Sequence, residues 1–155
     1  MSASHETFDI QVFSSDVLKE MESIAKEGQK INYIHKGDTE IISDKKFIRH
    51  ILFNLLSNAI KFSPEGKPIE LKTEVRKEQI TLSVKDSGIG ISEEDQKHLF
   101  ERFFRAHNAT NIQGTGLGLN IVAKYVEMLD GNIEFKSDLE KGTTFIINLP
   151  NGSKN

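Results

Sequence analysis

Apolar positions along the chain fall into alternating helical and strand periods, which define most of its elements before any chemistry is considered. From Ser14 to about Lys26, Val17, Leu18, Met21 and Ile24 recur at the spacing of an amphipathic helix behind a serine cap. Ile31 to Ile34 and Glu40 to Ile42 are short β-prone runs, and Lys36-Gly37-Asp38 between them reads as a hairpin-like turn. A longer helix spans about Asp44 to Phe62 and is closed by Ser63-Pro64-Glu65-Gly66. Ile69, Leu71 and Val75 alternate with Glu70, Lys72 and Glu74, as Ile80, Leu82 and Val84 do with Thr81, Ser83 and Lys85. The pattern predicts two half-buried strands turning through Arg76 to Gln79. Ser92-Glu93-Glu94-Asp95 has the form of a capping box opening a short helix to about Leu99. Periodicity then stops, and the polar stretch Ala106 to Gly114 reads as a mobile loop. Leu117, Ile121, Val122, Tyr125, Val126 and Leu129 restore a helix that Gly131 ends, and strands follow around Asn132 to Lys136 and Thr143 to Leu149. Helices and largely antiparallel strands sharing one domain make an α+β sandwich.

Composition narrows the function more than the fold. With 155 residues, 37% of them hydrophobic and 28% charged, a single compact domain is expected. Against 23 Asp and Glu stand 20 Lys and Arg, a net charge of −3, so no global basic field gathers nucleic acid or anionic membrane and any polyanion must meet a local site. The absence of cysteine excludes a disulfide scaffold, a cysteine-ligated zinc finger and a thiol nucleophile. No apolar run approaches the roughly 20 residues that span a bilayer, and Met1-Ser2-Ala3-Ser4-His5 has no signal-peptide core, so a soluble chain is expected. The small, polar ends read as frayed: residues 1–7 as linker, 8–150 as the domain and 151–155 as a tail.

Four stretches carry candidate chemistry. In the second long helix, Asn54, Asn58 and Lys61 stand at i, i+4 and i+7, on one face beside the apolar stripe. Neutral amide oxygens there suit Mg²⁺ beside a phosphate chain, and Lys61 adds a point charge for phosphate oxygens. Taken alone, a merely polar helix edge is the commoner explanation. Asp86 ends an alternating strand and runs into Ser87-Gly88-Ile89-Gly90. A buried carboxylate at that strand end accepts from the 6-amino group of adenine and rejects the carbonyl of guanine by roughly 1–3 kcal/mol. An ordinary Asp-Gly turn explains the same letters equally well. Gly114-Thr115-Gly116-Leu117-Gly118-Leu119 opens a helix, whose unpaired N–H groups favour phosphate. It is neither a Walker loop nor a dinucleotide fingerprint. Phe100-Glu101-Arg102-Phe103-Phe104-Arg105 combines core anchors with arginines, either of which could reach a terminal phosphate. A base-stacking nucleic-acid platform would want a basic face that this charge balance does not supply.

In order and spacing these segments resemble the catalytic and ATP-binding domain of bacterial sensor histidine kinases, over nearly the whole chain from about Phe8 to Pro150. NLLSNAIKFS (Asn54 to Ser63) is similar to the N box, DSGIGI (Asp86 to Ile91) to the first glycine box, FERFFR to the F box, GTGLGL to the second glycine box and GTTF (Gly142 to Phe145) to the last. The resemblance implies a Bergerat-type fold: a mixed, mostly antiparallel sheet covered by about three helices, with ATP between the helices and a flexible lid at Ala106 to Gly114. It implies Asn58 as the principal Mg²⁺ ligand with Asn54 its partner, Lys61 on a phosphate, and Phe62 beside the base where the family often has tyrosine. It further implies Asp86 on the adenine amine with Thr143 assisting through water, and Gly88 and Gly90 admitting the base. Arg105 would reach the γ-phosphate, while Gly114, Gly116 and Gly118, with Thr115 and Leu117 between them, would wrap the phosphates. Asn54, Lys61 and Arg105 are thus the expected catalytic residues.

One position separates this reading from hydrolytic relatives such as gyrase, mismatch-repair and heat-shock chaperone domains, which carry a glutamate four residues before the Mg²⁺ asparagine. Here that residue is Asn54, and an amide is too weak a base to take a proton from water. A phosphoacceptor histidine on a dimerisation hairpin is also required, and Ser4-His5-Glu6-Thr7 lacks the basic residue and proline of that motif. His5 is assigned to linker; His35, His50, His98 and His107 lie outside any acceptor motif. The expectation is therefore half an enzyme: it binds Mg·ATP and donates the γ-phosphate to a histidine on an absent domain. A monomer on its own and a homodimer in its parent, it serves a response-regulator receiver domain from the cytoplasmic side. The alternatives are a non-catalytic nucleotide-binding regulatory module and, with less support, a hydrolytic ATPase of the same superfamily.

Overall fold

The computed structural model describes residues 2–98, 100 and 118–152. Strand β1 (Glu6–Asp9) leads into helix α1 (Ile10–Glu22), followed by β2 (Ile31–Gly37), β3 (Glu40–Ser43), the long helix α2 (Lys45–Phe62), β4 (Ile69–Arg76) and β5 (Gln79–Lys85). A short α3 (Glu93–Gln96) and then α4 (Gly118–Met128), β6 (Asn132–Asp138) and β7 (Gly142–Pro150) complete the chain. Five strands form one sheet in the order β2-β4-β5-β7-β6, antiparallel throughout except for the parallel β2–β4 pair, and β1 and β3 form a separate antiparallel ribbon. Helices α1, α2 and α4 make the second layer, so the α+β sandwich expected from the sequence is the one observed.

The core follows from the two periods. On β4 the residues at 69, 71, 73 and 75 are buried while 70, 72 and 74 are half-exposed, and β5 and β7 repeat the alternation. Helix α2 lays Ile48, Ile51, Leu52, Leu55, Leu56 and Ala59 on this face, each no more than 1% exposed. Burying a Leu or Ile contributes about 1.5–3 kcal/mol apiece, so this stripe sets the rotation of α2 about its axis. Asp44 caps α2, accepting from Phe47 N–H at 3.0 Å with Oδ1 and from Ser4 N–H at 2.7 Å with Oδ2. Arg49 on α2 grips Glu20 on α1 with two hydrogen bonds of 2.6 and 2.7 Å, which hold the Glu20 carboxyl below its ordinary range. Phe100 packs edge-on against Phe135 and Phe145, the core anchor expected of its motif.

Three expectations are corrected. The hairpin at Lys36-Gly37-Asp38 does not form: β2 pairs with β4 and β3 pairs with β1. The two strands take different partners around one core. Tyr33 and His35 on β2 both hydrogen-bond to Thr73 Oγ1, a fully buried hydroxyl of β4, at 2.6 and 2.7 Å, while Ile41 on β3 is buried outside the main sheet. A parallel pair needs a helical crossover, which α2 supplies. The first helix starts at Ile10 rather than at Ser14, because Asp9 accepts from Val12 N–H at 2.9 Å and Ile10 and Phe13 extend the buried stripe. Ser14 lies inside the helix, with its hydroxyl buried and unpartnered. The ends are also less frayed than expected. Glu6 and Thr7 pair with Ser43 and Ile42, Asn151 Oδ1 accepts from Ile42 N–H, and Gly152 N–H donates to Ile42 O. The loop expected at Ala106 to Gly114 lies outside the described residues.

Asp44→Ala removes the cap of α2 and the anchor of Ser4 together. Urea denaturation is expected to show a loss of about 1–2 kcal/mol, the upper part of the range for an N-cap deletion; a change below about 0.5 kcal/mol would show that the cap does not hold α2.

Candidate functional site

The site lies between α2, the start of α4 and one end of the sheet. On α2, Asn54 donates from Nδ2 to His50 O at 2.8 Å, which leaves its Oδ1 as the outward acceptor. Gly118, the first residue of α4, faces it: a Cβ built there would stand 3.5 Å from Asn54 Oδ1 and 3.4 Å from Asn58 Nδ2. The fold therefore brings Asn54, Asn58 and Gly118 together. The packing of α2 on α4 explains the closeness, with Tyr125 against Phe47 at 4.9 Å and stacked on His50 at 5.0 Å and 3°. Lys61 lies exposed on the last turn of α2.

At the sheet end, Asp86 continues β5 by one residue, its N–H donating to Thr143 O at 2.9 Å. The Asp86 side chain is buried, and its Oδ1 accepts from Gly88 N–H at 2.9 Å and Thr143 N–H at 3.0 Å. Oδ2 accepts no hydrogen bond among the described residues, so the carboxylate is held by one oxygen and offers the other. Burial pushes the Asp86 carboxyl above its ordinary value, opposed by the two backbone N–H groups. Thr143 in turn stands directly opposite Ser137 on β6, with their hydroxyls 2.7 Å apart. Asp86, Thr143 and Ser137 thus form a row across β5, β7 and β6.

The glycines of this turn have a role their sequence reading did not contain. A Cβ on Gly88 would stand 2.4 Å from Phe62 O, and one on Gly90, whose φ is +73°, would stand 2.0 Å from Asp138 O. Both positions let backbone meet backbone, docking the turn after β5 onto the end of α2 and onto the β6–β7 turn. Phe62 is thereby placed at the same end of the molecule as Asp86.

Four further residues were not singled out from the sequence. Ser63, fully buried, accepts from Ser87 N–H at 3.2 Å through Oγ, tying the end of α2 to the glycine turn. Gln29 donates to the carbonyls of Ile60 and Ser63 at 3.1 and 2.9 Å, and Lys26 Nζ donates to those of Lys61 and Ser63 at 2.9 Å each. These two satisfy the open carbonyls that end a helix, but lie more than 30 residues away, beyond any local signal. Ser137 accepts from Ile91 N–H at 2.8 Å, fastening the turn to β6. Arg105, Gly114, Thr115, Gly116 and Leu117 lie outside the described residues. Among the described residues no cluster of three His, Cys, Asp or Glu side chains could hold a metal ion. The amide oxygens of Asn54 and Asn58 are hard, neutral donors that fit Mg²⁺ bound largely by water and phosphate.

The described structure thus combines a polar face on α2 with a buried carboxylate, open at one oxygen, at a sheet end, and residues 43–153 match the family described as histidine kinase-, DNA gyrase B- and HSP90-like ATPases. The chain belongs to that family. It is 38% identical over 122 residues to the autoinducer 2 sensor kinase/phosphatase LuxQ of Vibrio parahaemolyticus serotype O3:K6 (strain RIMD 2210633), covering 74% of this chain and 14% of that protein. To the signal transduction histidine-protein kinase ArlS of Staphylococcus aureus (strain USA300) it is 42% identical over 94 residues, 59% of this chain and 21% of that protein. The chain thus spans only a small part of these relatives. Among solved structures, the mycobacterial sensor histidine kinase MprB superposes with a TM-score of 0.82 at 26% identity, over 94% of this chain and 98% of that one. Full-length ShkA in complex with AMPPNP gives 0.86 at 25% identity, over 99% of this chain and 32% of that one. Among the described residues no helix is long and apolar enough to cross a membrane.

The raised carboxyl of Asp86 predicts a pH signature. Where the folded protein holds this proton and the unfolded chain has lost it, stability falls as pH rises. Asp86→Asn keeps an oxygen for both N–H donors and removes the charge. Its stability advantage over wild type is therefore expected to grow as pH rises from below the ordinary carboxylate value through the raised one. Thermal denaturation across that range tests this; a pH-independent difference would show that burial does not load this carboxylate.

Proposed function

We propose that this chain binds Mg·ATP and presents the γ-phosphate to a histidine of a dimerisation and phosphoacceptor domain outside this sequence, the autophosphorylation step of two-component signalling. The observation that carries the reading is the Asp86 carboxylate, buried, anchored through Oδ1 and open at Oδ2. It is an acceptor matched to the 6-amino group of adenine and mismatched to the carbonyl of guanine. Thr143 assists beside it through water, Gly88 and Gly90 shape the turn against which the base enters, and Phe62 lies alongside the base.

At the phosphate end, Asn58 is the principal holder of Mg²⁺ with Asn54 its neighbour. The ion, when bound, neutralises charge on the phosphate oxygens. Asn54 turns its amide oxygen toward the start of α4, because Nδ2 is committed to His50 O. Lys61 and Arg105 contact phosphate oxygens, and Gly114, Thr115, Gly116, Leu117 and Gly118 follow the phosphate chain into the positive end of α4. In transfer, the acceptor imidazole nitrogen forms a bond to the γ-phosphorus as the bond to the bridging oxygen breaks and ADP leaves. These residues contribute position and charge; proton removal belongs to the acceptor domain. Asn54 supplies no base for water, so hydrolysis by this domain alone is slow. The parent is a homodimer whose phosphohistidine passes its phosphoryl group to a receiver-domain aspartate, with this domain, a monomer by itself, on the cytoplasmic side where ATP is available.

Calorimetry with Mg·ATP and Mg·GTP is expected to show ATP-selective binding that Asp86→Ala weakens about tenfold or more, the loss of a hydrogen bond to a charged acceptor. ATP affinity in wild type should fall as pH is lowered through the raised Asp86 value, because the proton then sits on the open oxygen, which presents an O–H donor to the adenine amine. Addition of a cognate acceptor hairpin with labelled ATP should then give an acid-labile phosphohistidine. Binding without transfer would favour a regulatory nucleotide module, robust phosphate release without acceptor would favour a hydrolase, and no binding by folded protein would overturn the reading.

A further inference from the structure

The row Asp86–Thr143–Ser137 contains a hydroxyl pair whose protons the surrounding groups assign. Among the described residues Ser137 Oγ makes three contacts: Ile91 N–H at 2.8 Å, Thr143 Oγ1 at 2.7 Å and Gly142 O at 3.3 Å. The amide of Ile91 can only donate, and the carbonyl of Gly142 can only accept. A serine hydroxyl has one proton and two lone pairs. All three contacts are hydrogen bonds in one arrangement alone, with Ser137 donating to Gly142 O and accepting from both Ile91 N–H and Thr143 O–H. The Thr143 proton is then committed to Ser137, and the Thr143 oxygen faces the rest of its surroundings as an acceptor only. Its neighbour in the row, Asp86, is likewise an acceptor. The two groups are joined through the Thr143 N–H to Asp86 Oδ1 bond of 3.0 Å, and both are buried.

We infer that Ser137 is a specificity-positioning residue. By taking the Thr143 hydroxyl proton it removes a side-chain donor through which this sheet end could satisfy a 6-carbonyl purine, directly or through a water, so that the site selects the 6-amino purine twice rather than once. The inference rests on the proposed adenine site and adds a residue outside it: Ser137 touches no ligand and acts through Thr143. A free Thr143 hydroxyl rotates to donate, and hydroxyls adapt in this way at little cost. A fixed one leaves a 6-carbonyl group unpaired in a buried site, where discrimination is strong.

The test is the ratio of Mg·ATP to Mg·GTP affinity, measured by calorimetry on wild type, Ser137→Ala, and the isosteric pair Ser137→Val and Ser137→Thr. Val and Thr both suit a strand and differ only in the hydroxyl, so they decide the question if the alanine variant fails to fold. The ratio is expected to fall about tenfold in Ser137→Ala and Ser137→Val, chiefly through improved GTP binding, and to stay near wild type in Ser137→Thr. Equal weakening of both nucleotides with an unchanged ratio would mean that Ser137 only fastens the turn, and would overturn the inference while leaving the adenine site intact. A fall in Ser137→Thr as large as in Ser137→Val would overturn it too, since the hydroxyl would then be irrelevant. Wild type that binds neither nucleotide would remove the adenine site and this inference together.

Discussion

The burial of one face of α2 is the constraint on which the rest depends. Six of its residues, from Ile48 to Ala59, are essentially inaccessible to water, and their side chains interlock with the sheet and with α4. A helix so committed cannot rotate: a turn of one residue, about 100°, would expose several Leu and Ile side chains at about 1.5–3 kcal/mol each. The direction of Asn54 and Asn58, which sit at the margin of that face, is therefore set by packing they take little part in. The same helix delivers Phe62 and Ser63 to the sheet end, where Gly88 and Ser87 dock on them. One amphipathic element thus positions both ends of the site.

Asp86 carries the opposite sign in the energetics. Holding a carboxylate out of water costs stability, and the two backbone donors on Oδ1 offset only part of that cost, as the upward shift of its carboxyl shows. A group that served the fold alone would be satisfied at both oxygens or replaced by a neutral one. Such a loss of stability is commoner at functional positions than at structural ones. The turn beside it is tied down by specific contacts: Ser63 ties it to α2, Ser137 ties it to β6, and Gly90 seats it against the β6–β7 turn.

The ribbon of β1 and β3 links this machinery to the chain on either side. Thr7 and the Asn151–Gly152 segment meet Ile42 from its two sides, and Ser4 reaches the Asp44 cap of α2. Segments that read as loose ends therefore bear on the first turn of the helix that carries Asn54 and Asn58.

Much of this was legible in the letters. Helix and strand periods located α2, β4, β5 and β7 closely, since each has one buried face and its pattern must repeat every 3.6 or every two residues. Asn54, Asn58 and Asp86 were legible as candidates because polar residues stood at fixed offsets from those patterns. What the sequence could not determine was partnership between distant segments. Nothing local distinguishes a hairpin at Gly37 from a strand that leaves to pair with β4 across a helix, because short β-prone runs pair with whichever strand edge the packed chain brings to them. Nor could it show Gln29 and Lys26 closing α2, or a serine on β6 orienting a threonine on β7, since hydrogen bonds across strands depend on register and register on the whole sheet. Periodicity is a property of the chain and decides its elements; which groups meet, which proton goes where, and which carboxylate oxygen is left open were decided only when those elements packed.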